Sequence, residues 1–312
     1  NCMNQRKIIF MGTPKIAATV LQSLLDANIA IELVVTQPDK KVGRKQILTY
    51  SAVKEVAMEH SIPTFQPRRI KDDYQAILDI QADLIITCAY GQLVPDCILQ
   101  APKYGCVNLH GSLLPKYRGG APIQRAIWNG ETKSGMSLMK MASGLDTGPV
   151  CAVEEIDILP EDTSSTLFEK MGLAASHLIL ENLDRVCSLD CVYQAQDDAL
   201  ATYAPIIKKE EEHLDLSQSD QQIVNQIRAL SSQPGAYVRL GKKKWKILAA
   251  NYEAGNAQEC GKIIGWLKDS YALSLHDGLL YIHQCQMEGK PVLEAKDFYN
   301  GQGRNFIGRI VE

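Results

Sequence analysis

The sequence contains no uninterrupted apolar stretch near the roughly 18 residues that a membrane-spanning helix requires, although 46% of its 312 residues are hydrophobic. It also lacks the basic segment followed by an apolar one that marks a secretory signal. The segment Lys7–Met11, in which four apolar residues follow the lysine, is too short for that role and predicts a first strand instead. These two absences predict a cytoplasmic protein that has no membrane partner.

None of the nine cysteines belongs to a Cys-x-x-Cys pair. Structural zinc sites are typically built from such pairs, and disulfide frameworks belong mostly to short secreted chains. We therefore expect no metal, no disulfide framework and mainly small core residues at these positions. A nucleophilic role stays open for Cys106, which shares a predicted strand face with two polar residues described below. No base or helix N-terminus that would lower its pKa is evident.

An excess of positive charge is missing as well. Lysine and arginine number 33 and aspartate and glutamate 36, a net charge of −3, which excludes a globally basic nucleic-acid binder. Two local clusters remain, at Lys40, Lys41, Arg44 and Lys45, and at Arg239, Lys242, Lys243, Lys244 and Lys246. A single cluster is usually a solvated face. Two clusters in separate predicted domains, one of which includes Trp245, favour a track for a phosphate backbone.

Strand and helix patterns alternate over the first half of the chain. The predicted strands are Lys7–Met11, Ile31–Val35, Asp83–Ala89, Cys106–His110, Met136–Met141 and Val150–Ile158. Predicted helices begin near Thr13 and cover Ser51–His60, Pro95–Gln100, Ala121–Asn129 and Thr163–Val186. This alternation predicts an α/β fold with a Rossmann-like, mostly parallel sheet covered on both faces.

The alternation stops at a polar connector, and a different pattern follows it. A predicted helix, Gln221–Leu230, precedes five short strands at Ala236–Leu240, Trp245–Ala249, Lys262–Trp266, Ala272–Leu275 and Leu279–Cys285. Short strands at this spacing predict a small OB-like β-barrel, a type that often binds nucleic acid. We therefore divide the chain into a catalytic domain (3–190), a linker (191–210) and a C-terminal β-barrel domain (211–312).

Three polar side chains carry the best candidate chemistry. Asn108 and His110 lie two apart on one predicted strand, so they share a face. Asp146 lies between Gly144 and Gly148 in a turn-prone segment that can return to the end of that strand. A histidine by itself would most often be structural. An amide, an imidazole and a carboxylate at the carboxyl edge of a sheet instead favour acyl-group chemistry.

Two glycine motifs invite other interpretations. The segment 11–14 (MGTP) follows the first strand, where a dinucleotide could bind, but it contains one glycine and Pro14 lacks a backbone donor. We therefore predict no nucleotide site there. Gly119 and Gly120 predict a hinge or a close approach of the backbone to a ligand.

The stretch 110–128 (HGSLLPKYRGGAPIQRAIW), together with the segment 145–148 (LDTG), resembles the folate-dependent formyltransferases. The resemblance implies that Asn108, His110 and Asp146 are catalytic and that 10-formyltetrahydrofolate is the formyl donor. It also implies a folate site formed by Ser112, Leu113, Leu114, Pro115, Gln92, Leu93, Val94, Met141, Ala142 and Ser143.

Two further segments, 36–44 (TQPDKKVGR) and 121–127 (APIQRAI), and the presence of a second domain are similar to the members of this family that act on methionyl-initiator-tRNA. The resemblance implies that a loop at 38–48 meets the tRNA acceptor end, with Arg44 as the key contact. The tRNA-binding residues it implies are Lys40, Lys41, Arg44, Lys45, Arg239, Lys242, Lys243 and Lys244. Tyr50-Ser51-Ala52 departs from the expected Pro-Ser-Pro, which leaves the exit angle of the loop open.

Three alternatives to this interpretation remain. An amino-sugar nucleotide formyltransferase or a 10-formyltetrahydrofolate hydrolase would share the same three polar residues. A non-catalytic RNA-binding protein could retain the scaffold. We expect a monomer, because no apolar seam for a partner is evident in the sequence.

Overall fold

The computed structural model describes residues 5–312, which form two compact units. The first unit consists of residues up to 119 with 133–157 and 168–203, and the second of 120–132, 158–167 and 204–312. The units are interleaved in the chain, whereas the sequence predicted continuous domains. The boundaries at 190 and 211 stay a prediction.

Eight helices and fifteen strands are formed by the described residues. The helices are α1 (Lys15–Asp26), α2 (Ala52–Glu59), α3 (Gln75–Ile80), α4 (Asp96–Gln100), α5 (Pro122–Trp128), α6 (Ser164–Val186), α7 (Asp220–Leu230) and α8 (Ala295–Asn300). The strands are β1 (Ile8–Gly12), β2 (Leu33–Val35), β3 (Lys40–Val42), β4 (Ile47–Thr49), β5 (Thr64–Phe65), β6 (Leu84–Cys88), β7 (Cys106–His110), β8 (Lys133–Lys140), β9 (Val150–Asp157), β10 (Ala236–Leu240), β11 (Lys243–Ala254), β12 (Ile263–Leu267), β13 (Ser270–Ser274), β14 (Gly278–Met287) and β15 (Leu293–Glu294). None of the helices within residues 5–312 is long and apolar enough to span a bilayer.

The first unit is built on a seven-stranded sheet in the order β5-β2-β1-β6-β7-β8-β9. The five strands from β5 to β7 run parallel, and β8 and β9 add an antiparallel edge. Every residue of β1 and β6 is buried, as expected for parallel strands covered on both faces. The predicted α/β class is confirmed.

Gly12, in the motif that could have bound a dinucleotide, has a packing role. A Cβ at this position would lie 2.6 Å from the Cβ of Ala17 and 2.8 Å from the carbonyl oxygen of Cys88. Only glycine allows α1 to approach the sheet so closely. The single glycine of the motif is therefore explained without a phosphate.

The second unit contains an antiparallel sheet in the order β10-β11-β14-β13-β12, with β15 paired to β14. The last residues link its two edges: the Ile263 N–H donates to the Arg309 carbonyl (2.8 Å), and the Glu312 N–H donates to the Arg239 carbonyl (2.9 Å). The sheet surrounds an apolar core in which Trp245 stacks on Phe298, with ring centroids 5.5 Å apart. These features agree with the predicted barrel-like second domain.

Several short helices and strands of the structure were not predicted from the sequence. The segment 38–48 was predicted as a loop, but β3 and β4 form a hairpin with three paired positions. Its six strand residues are all exposed, so no inward-facing apolar alternation marks it. Helices α3 and α8 span six residues each, too few for a helical apolar period to show.

Candidate active site

The carboxyl end of β7 carries two of the three candidate residues. Parallel strands β1, β6 and β7 end at the same edge of the sheet, and His110 is the last residue of β7. Asn108 lies next to Thr87 of β6 and Met139 of β8 in the strand register. It is half-buried, whereas His110 is 6% exposed. Both therefore occupy the edge where ligands of open α/β sheets bind.

The two nitrogens of His110 have different surroundings. Nε2 lies 2.8 Å from the carbonyl oxygen of Tyr117, which can only accept, so Nε2 carries a hydrogen. Nδ1 lies 3.6 Å from Oδ2 of Asp146. That separation is too long for a hydrogen bond, and the two groups form an ion pair only when the ring is protonated. A proton added to the neutral ring goes to Nδ1 and faces the carboxylate.

Asp146 is held in its turn by several contacts. Its backbone has a φ of +52°, a left-handed conformation that residues other than glycine seldom adopt. The Gly119 N–H donates to its Oδ2 at 2.8 Å, and Nε2 of Gln196 donates to its carbonyl oxygen at 2.8 Å. A Cβ at Gly148 would lie 1.8 Å from the Lys140 carbonyl oxygen, so the turn also requires that glycine.

Thr87 orients the side chain of Asn108. The Thr87 hydroxyl lies 2.7 Å from Oδ1 of Asn108 and 3.0 Å from the Val107 carbonyl oxygen, so its single hydrogen has two oxygen acceptors, of which Asn108 is the nearer. With Oδ1 engaged, Nδ2 is the group that Asn108 can offer to a substrate oxygen. Sequence reasoning missed Thr87, although it is the only hydroxyl in the apolar strand β6.

The predicted folate segment Ser112–Pro115 is held by its own neighbours. Ser112 is fully buried, and its hydroxyl donates to the Lys116 carbonyl at 2.6 Å. The Ser137 hydroxyl donates to the Ser112 carbonyl at 2.6 Å and accepts from the Leu114 N–H at 3.2 Å. The Ser112 hydroxyl is thus engaged within the turn, and the place of this segment in a folate site stays a prediction.

The other two predicted folate segments lie together. Ser143 donates to Oδ1 of Asp96 at 2.8 Å, which joins Met141–Ser143 to a residue two positions after Gln92–Val94. Met141 and Val94 both pack against one apolar cluster of the first unit, which also contains Tyr90. The structure therefore brings these two segments to one place, as a shared pocket for a flat ring requires.

Within this pair of segments, Gln92 and Leu93 differ sharply. The Gln92 side chain accepts from the Ile70 N–H at 2.8 Å and donates to Oε1 of Gln37 at 2.9 Å. It therefore braces the neighbouring loops. Leu93 is 82% exposed, so its side chain is available to a ligand.

Cys106 is a core residue. Its side chain is 1% exposed and belongs to the same apolar cluster as Met141 and Val94. Burial raises the pKa of the Cys106 thiol to about 12, which keeps it protonated near neutral pH. The open nucleophilic role is therefore unsupported, and the thiol serves packing.

The first basic cluster lies on the exposed hairpin of β3 and β4. Lys40 and Lys41 are strand residues, and Arg44 and Lys45 follow in its turn. Lys54 of α2 holds both ends of the hairpin: its Nζ lies 2.9 Å from Oδ1 of Asp39 and 3.9 Å from the centroid of the Tyr50 ring. Tyr50, the departure from the expected Pro-Ser-Pro, thus fixes the exit of the hairpin by packing under Lys54.

The second basic cluster follows the β10–β11 turn. Lys242 and Lys243 are exposed, and Nζ of Lys244 lies 4.6 Å from the centroid of the Tyr237 ring. Trp245 is fully buried in the core, so the expectation that it accompanies the basic side chains at a binding surface is wrong. Strand alternation explains this, because Lys244 and Trp245 point to opposite faces.

Among residues 5–312, no group of three or more histidine, cysteine, aspartate or glutamate side chains is arranged to hold a metal ion.

Comparison with sequence families gives two matches, which follow one another along the chain. The family described as Formyl transferase matches residues 6–183, and the family described as Formyl transferase, C-terminal domain, matches residues 206–303.

Three relatives that match nearly the whole chain share one name. The protein named methionyl-tRNA formyltransferase from Lactobacillus johnsonii is 40% identical to this chain over 302 residues, covering 96% of each. The one from Malacoplasma penetrans is 39% identical over 311 residues, covering 99% of this chain and 97% of the relative. The one from Staphylococcus epidermidis is 38% identical over 308 residues, covering 98% and 99%.

Two solved structures illustrate the likeness of the fold. HypX from Aquifex aeolicus, in complex with tetrahydrofolic acid, has a TM-score of 0.70 at 16% identity; the match covers 97% of this chain and about half of HypX (48%). An N-formyltransferase from Helicobacter canadensis, in complex with folinic acid and dTDP-3-aminofucose, has a TM-score of 0.66 at 18% identity. That match covers 89% of this chain and 99% of the other.

Proposed function

Because the chain belongs to the methionyl-tRNA formyltransferase family, we propose that it transfers the formyl group of 10-formyltetrahydrofolate to the amino group of methionyl-initiator-tRNA. One observation within the site carries the proposal. His110 Nδ1 faces the Asp146 carboxylate at 3.6 Å beside an asparagine whose Oδ1 is already engaged. This set can stabilise an oxyanion and move a proton, and both tasks belong to acyl transfer.

The nucleophile of this reaction needs little activation. An α-amino group has a pKa of about 7.7–8.0, and esterification of the carboxyl group lowers it further, so much of the amine is neutral at physiological pH. It can attack the formyl carbon without a strong base. A site without a Ser or Cys nucleophile is therefore sufficient, in keeping with the buried, protonated Cys106.

The larger barrier is negative charge on the formyl oxygen in the tetrahedral intermediate. Nδ2 of Asn108 is the donor that remains once Thr87 engages Oδ1. On His110, Nε2 donates to the Tyr117 carbonyl, so Nδ1 is the ring nitrogen that remains for a substrate oxygen, and it has a hydrogen to donate only in the protonated ring. Two such donors at one oxygen are the arrangement that stabilises an oxyanion.

Asp146 would stabilise the imidazolium and help the proton to move. The amine loses a proton as its bond to the formyl carbon forms. N10 of the folate gains one as its bond to that carbon breaks, and tetrahydrofolate leaves. The Asp146 carboxylate lies 3.6 Å from Nδ1, so it faces the ring nitrogen through which this proton can pass.

The two basic clusters are the proposed tRNA contacts. The hairpin residues Lys40–Lys45 are exposed, and so are Lys242 in the β10–β11 turn and Lys243 at the start of β11, as phosphate contacts require. Phosphate contacts release counterions, so they make affinity depend on salt.

We predict that Lys243→Ala combined with Lys244→Ala weakens tRNA binding and reduces its salt slope by about one unit for each lost phosphate contact. Kd measured at several salt concentrations tests this. The matched control is Lys262→Ala with Lys296→Ala, which removes equal charge from the same unit outside the cluster. An unchanged salt slope in the first variant would leave the cluster as a solubilising face.

Transfer of labelled formyl from 10-formyltetrahydrofolate, offered separately to several acceptors, tests the reaction itself. We expect label on charged initiator tRNA, with much less on charged elongator tRNA. Label on a nucleotide-linked amino sugar would favour the sugar enzymes. Formate release without any acceptor would favour a hydrolase, and failure to bind reduced folate would favour a non-catalytic RNA-binding protein.

A further inference from the structure

The segment that follows α6 is docked onto the sheet of the first unit. Gln194 and Val150 exchange two backbone hydrogen bonds of 2.8 and 2.9 Å in an antiparallel bridge, so the residues after Gln194 run back from the first residue of β9 toward the segment that precedes it. This segment was predicted to be part of a solvated linker. Two residues beyond the pairing, Gln196 reaches the turn that carries Asp146.

Both the nitrogen and the oxygen of the Gln196 side-chain amide form hydrogen bonds. Nε2 donates to the carbonyl oxygens of Asp146 (2.8 Å) and Gly148 (2.6 Å). Oε1 accepts from Nε (3.1 Å) and Nη2 (2.9 Å) of Arg118. The glutamine therefore connects the Asp146 turn to a single arginine.

Arg118 lies between the two backbone groups that hold the candidate catalytic pair. The residue before it, Tyr117, provides the carbonyl that accepts from His110, and the residue after it, Gly119, provides the N–H that donates to Asp146. The Arg118 side chain is 3% exposed, and its Nη2 also bonds Oδ1 of Asp198 at 2.7 Å. A buried guanidinium with these partners has one conformation available to it.

We propose that Gln196, anchored by Arg118, is a positioning residue that sets the distance between His110 Nδ1 and the Asp146 carboxylate. The inference rests on the proposed formyl transfer. His110 bonds the backbone of Tyr117 and Asp146 bonds the backbone of Gly119, the two neighbours of Arg118. Gln196 links the Arg118 side chain to the carbonyl oxygen of Asp146. Without it, the left-handed Asp146 loses the donor to its own carbonyl, and the carboxylate can move away from the ring.

Two substitutions separate the functions of the glutamine. Gln196→Glu keeps the side-chain length and the acceptor for Arg118, but it cannot donate to the two carbonyls. Gln196→Met keeps the approximate volume and removes both contacts. Gln194 lies in the same segment with an exposed side chain, so Gln194→Glu and Gln194→Met are matched controls.

We expect both Gln196 variants to lower kcat for formyl transfer by about 10- to 100-fold, the cost of displacing a reacting group by about 1 Å. KM for the folate and for the tRNA should stay within about twofold, because neither contact involves binding groups. Hydrogen exchange at residues 144–148 should accelerate, while β7 and β8 keep their protection. Both Gln194 variants should match the unsubstituted protein in every measurement.

A kcat within twofold of the unsubstituted protein, or a rise in KM with kcat retained, would overturn the proposal. If Gln196→Met does not fold, Gln196→Glu, which retains the Arg118 contact, carries the test. The unsubstituted protein is assayed first, and its failure to formylate methionyl-tRNA would overturn the proposed function. Exchange at residues 144–148 would then still decide whether Gln196 holds the Asp146 turn.

Discussion

Asn108→Ala is expected to lower kcat by about 10²- to 10³-fold, with little change in tRNA affinity. Removal of one oxyanion donor costs about 3–4 kcal/mol of transition-state stabilisation. Nδ2 of Asn108 is the donor in question, since the Thr87 hydroxyl engages the other end of the amide. Steady-state formyl transfer, measured beside tRNA binding, separates the two effects.

The matched control for this variant is Asn305→Ala, at an exposed position of the second unit. It should have full activity. Loss of kcat and of tRNA affinity in equal measure in Asn108→Ala would indicate that Asn108 is structural. Unchanged kcat would remove Asn108 from the reaction.

Asp146→Asn is expected to lower kcat by about 10²- to 10⁴-fold, the usual contribution of a positioned acid–base group. The amide has nearly the volume of the carboxylate, and its oxygen can still accept from the Gly119 N–H. The turn should therefore persist. What is removed is the negative charge 3.6 Å from His110 Nδ1, and with it the stabilisation of the imidazolium.

Single-turnover rates of formyl transfer measure this loss without the influence of product release. Asp190→Asn, at an exposed position of the same unit, is the control for loss of one negative charge. An Asp146→Asn protein with a rate near that of the unsubstituted chain would show that the carboxylate takes no part in proton movement.

The local sequence was sufficient to predict the limits of short strands and the face on which their side chains lie. β7 and β10 begin and end where predicted, because four of the five residues in each strand are buried and turn residues follow both strands. The side-chain alternation of β7 placed Asn108 and His110 on one face. Gly144 and Gly148 marked a turn around Asp146, and the structure places this turn beside His110.

Contacts between distant segments could not be read in the same way. The β3–β4 hairpin is exposed on all six strand positions, and what anchors it is Lys54, with contacts to Asp39 and Tyr50. Trp245 stands within a run of lysines, yet the strand face that it occupies is turned into the core. The lysines around Trp245 suggested an exposed side chain, but successive side chains of a strand point to opposite faces of the sheet.

The amino-acid sequence by itself determined the alternating α/β class, the barrel-like second domain and the candidate residues Asn108, His110 and Asp146. Hydrophobic periodicity and residue chemistry are local properties, so they can be recognised in the sequence without the structure. Only the tertiary structure decided which ring nitrogen of His110 faces Asp146, that Thr87 orients Asn108, and that Gln196 and Arg118 join the turn to the strand end. Those facts depend on directional hydrogen bonds between segments far apart in the chain, and their geometry exists only once the sheet has formed.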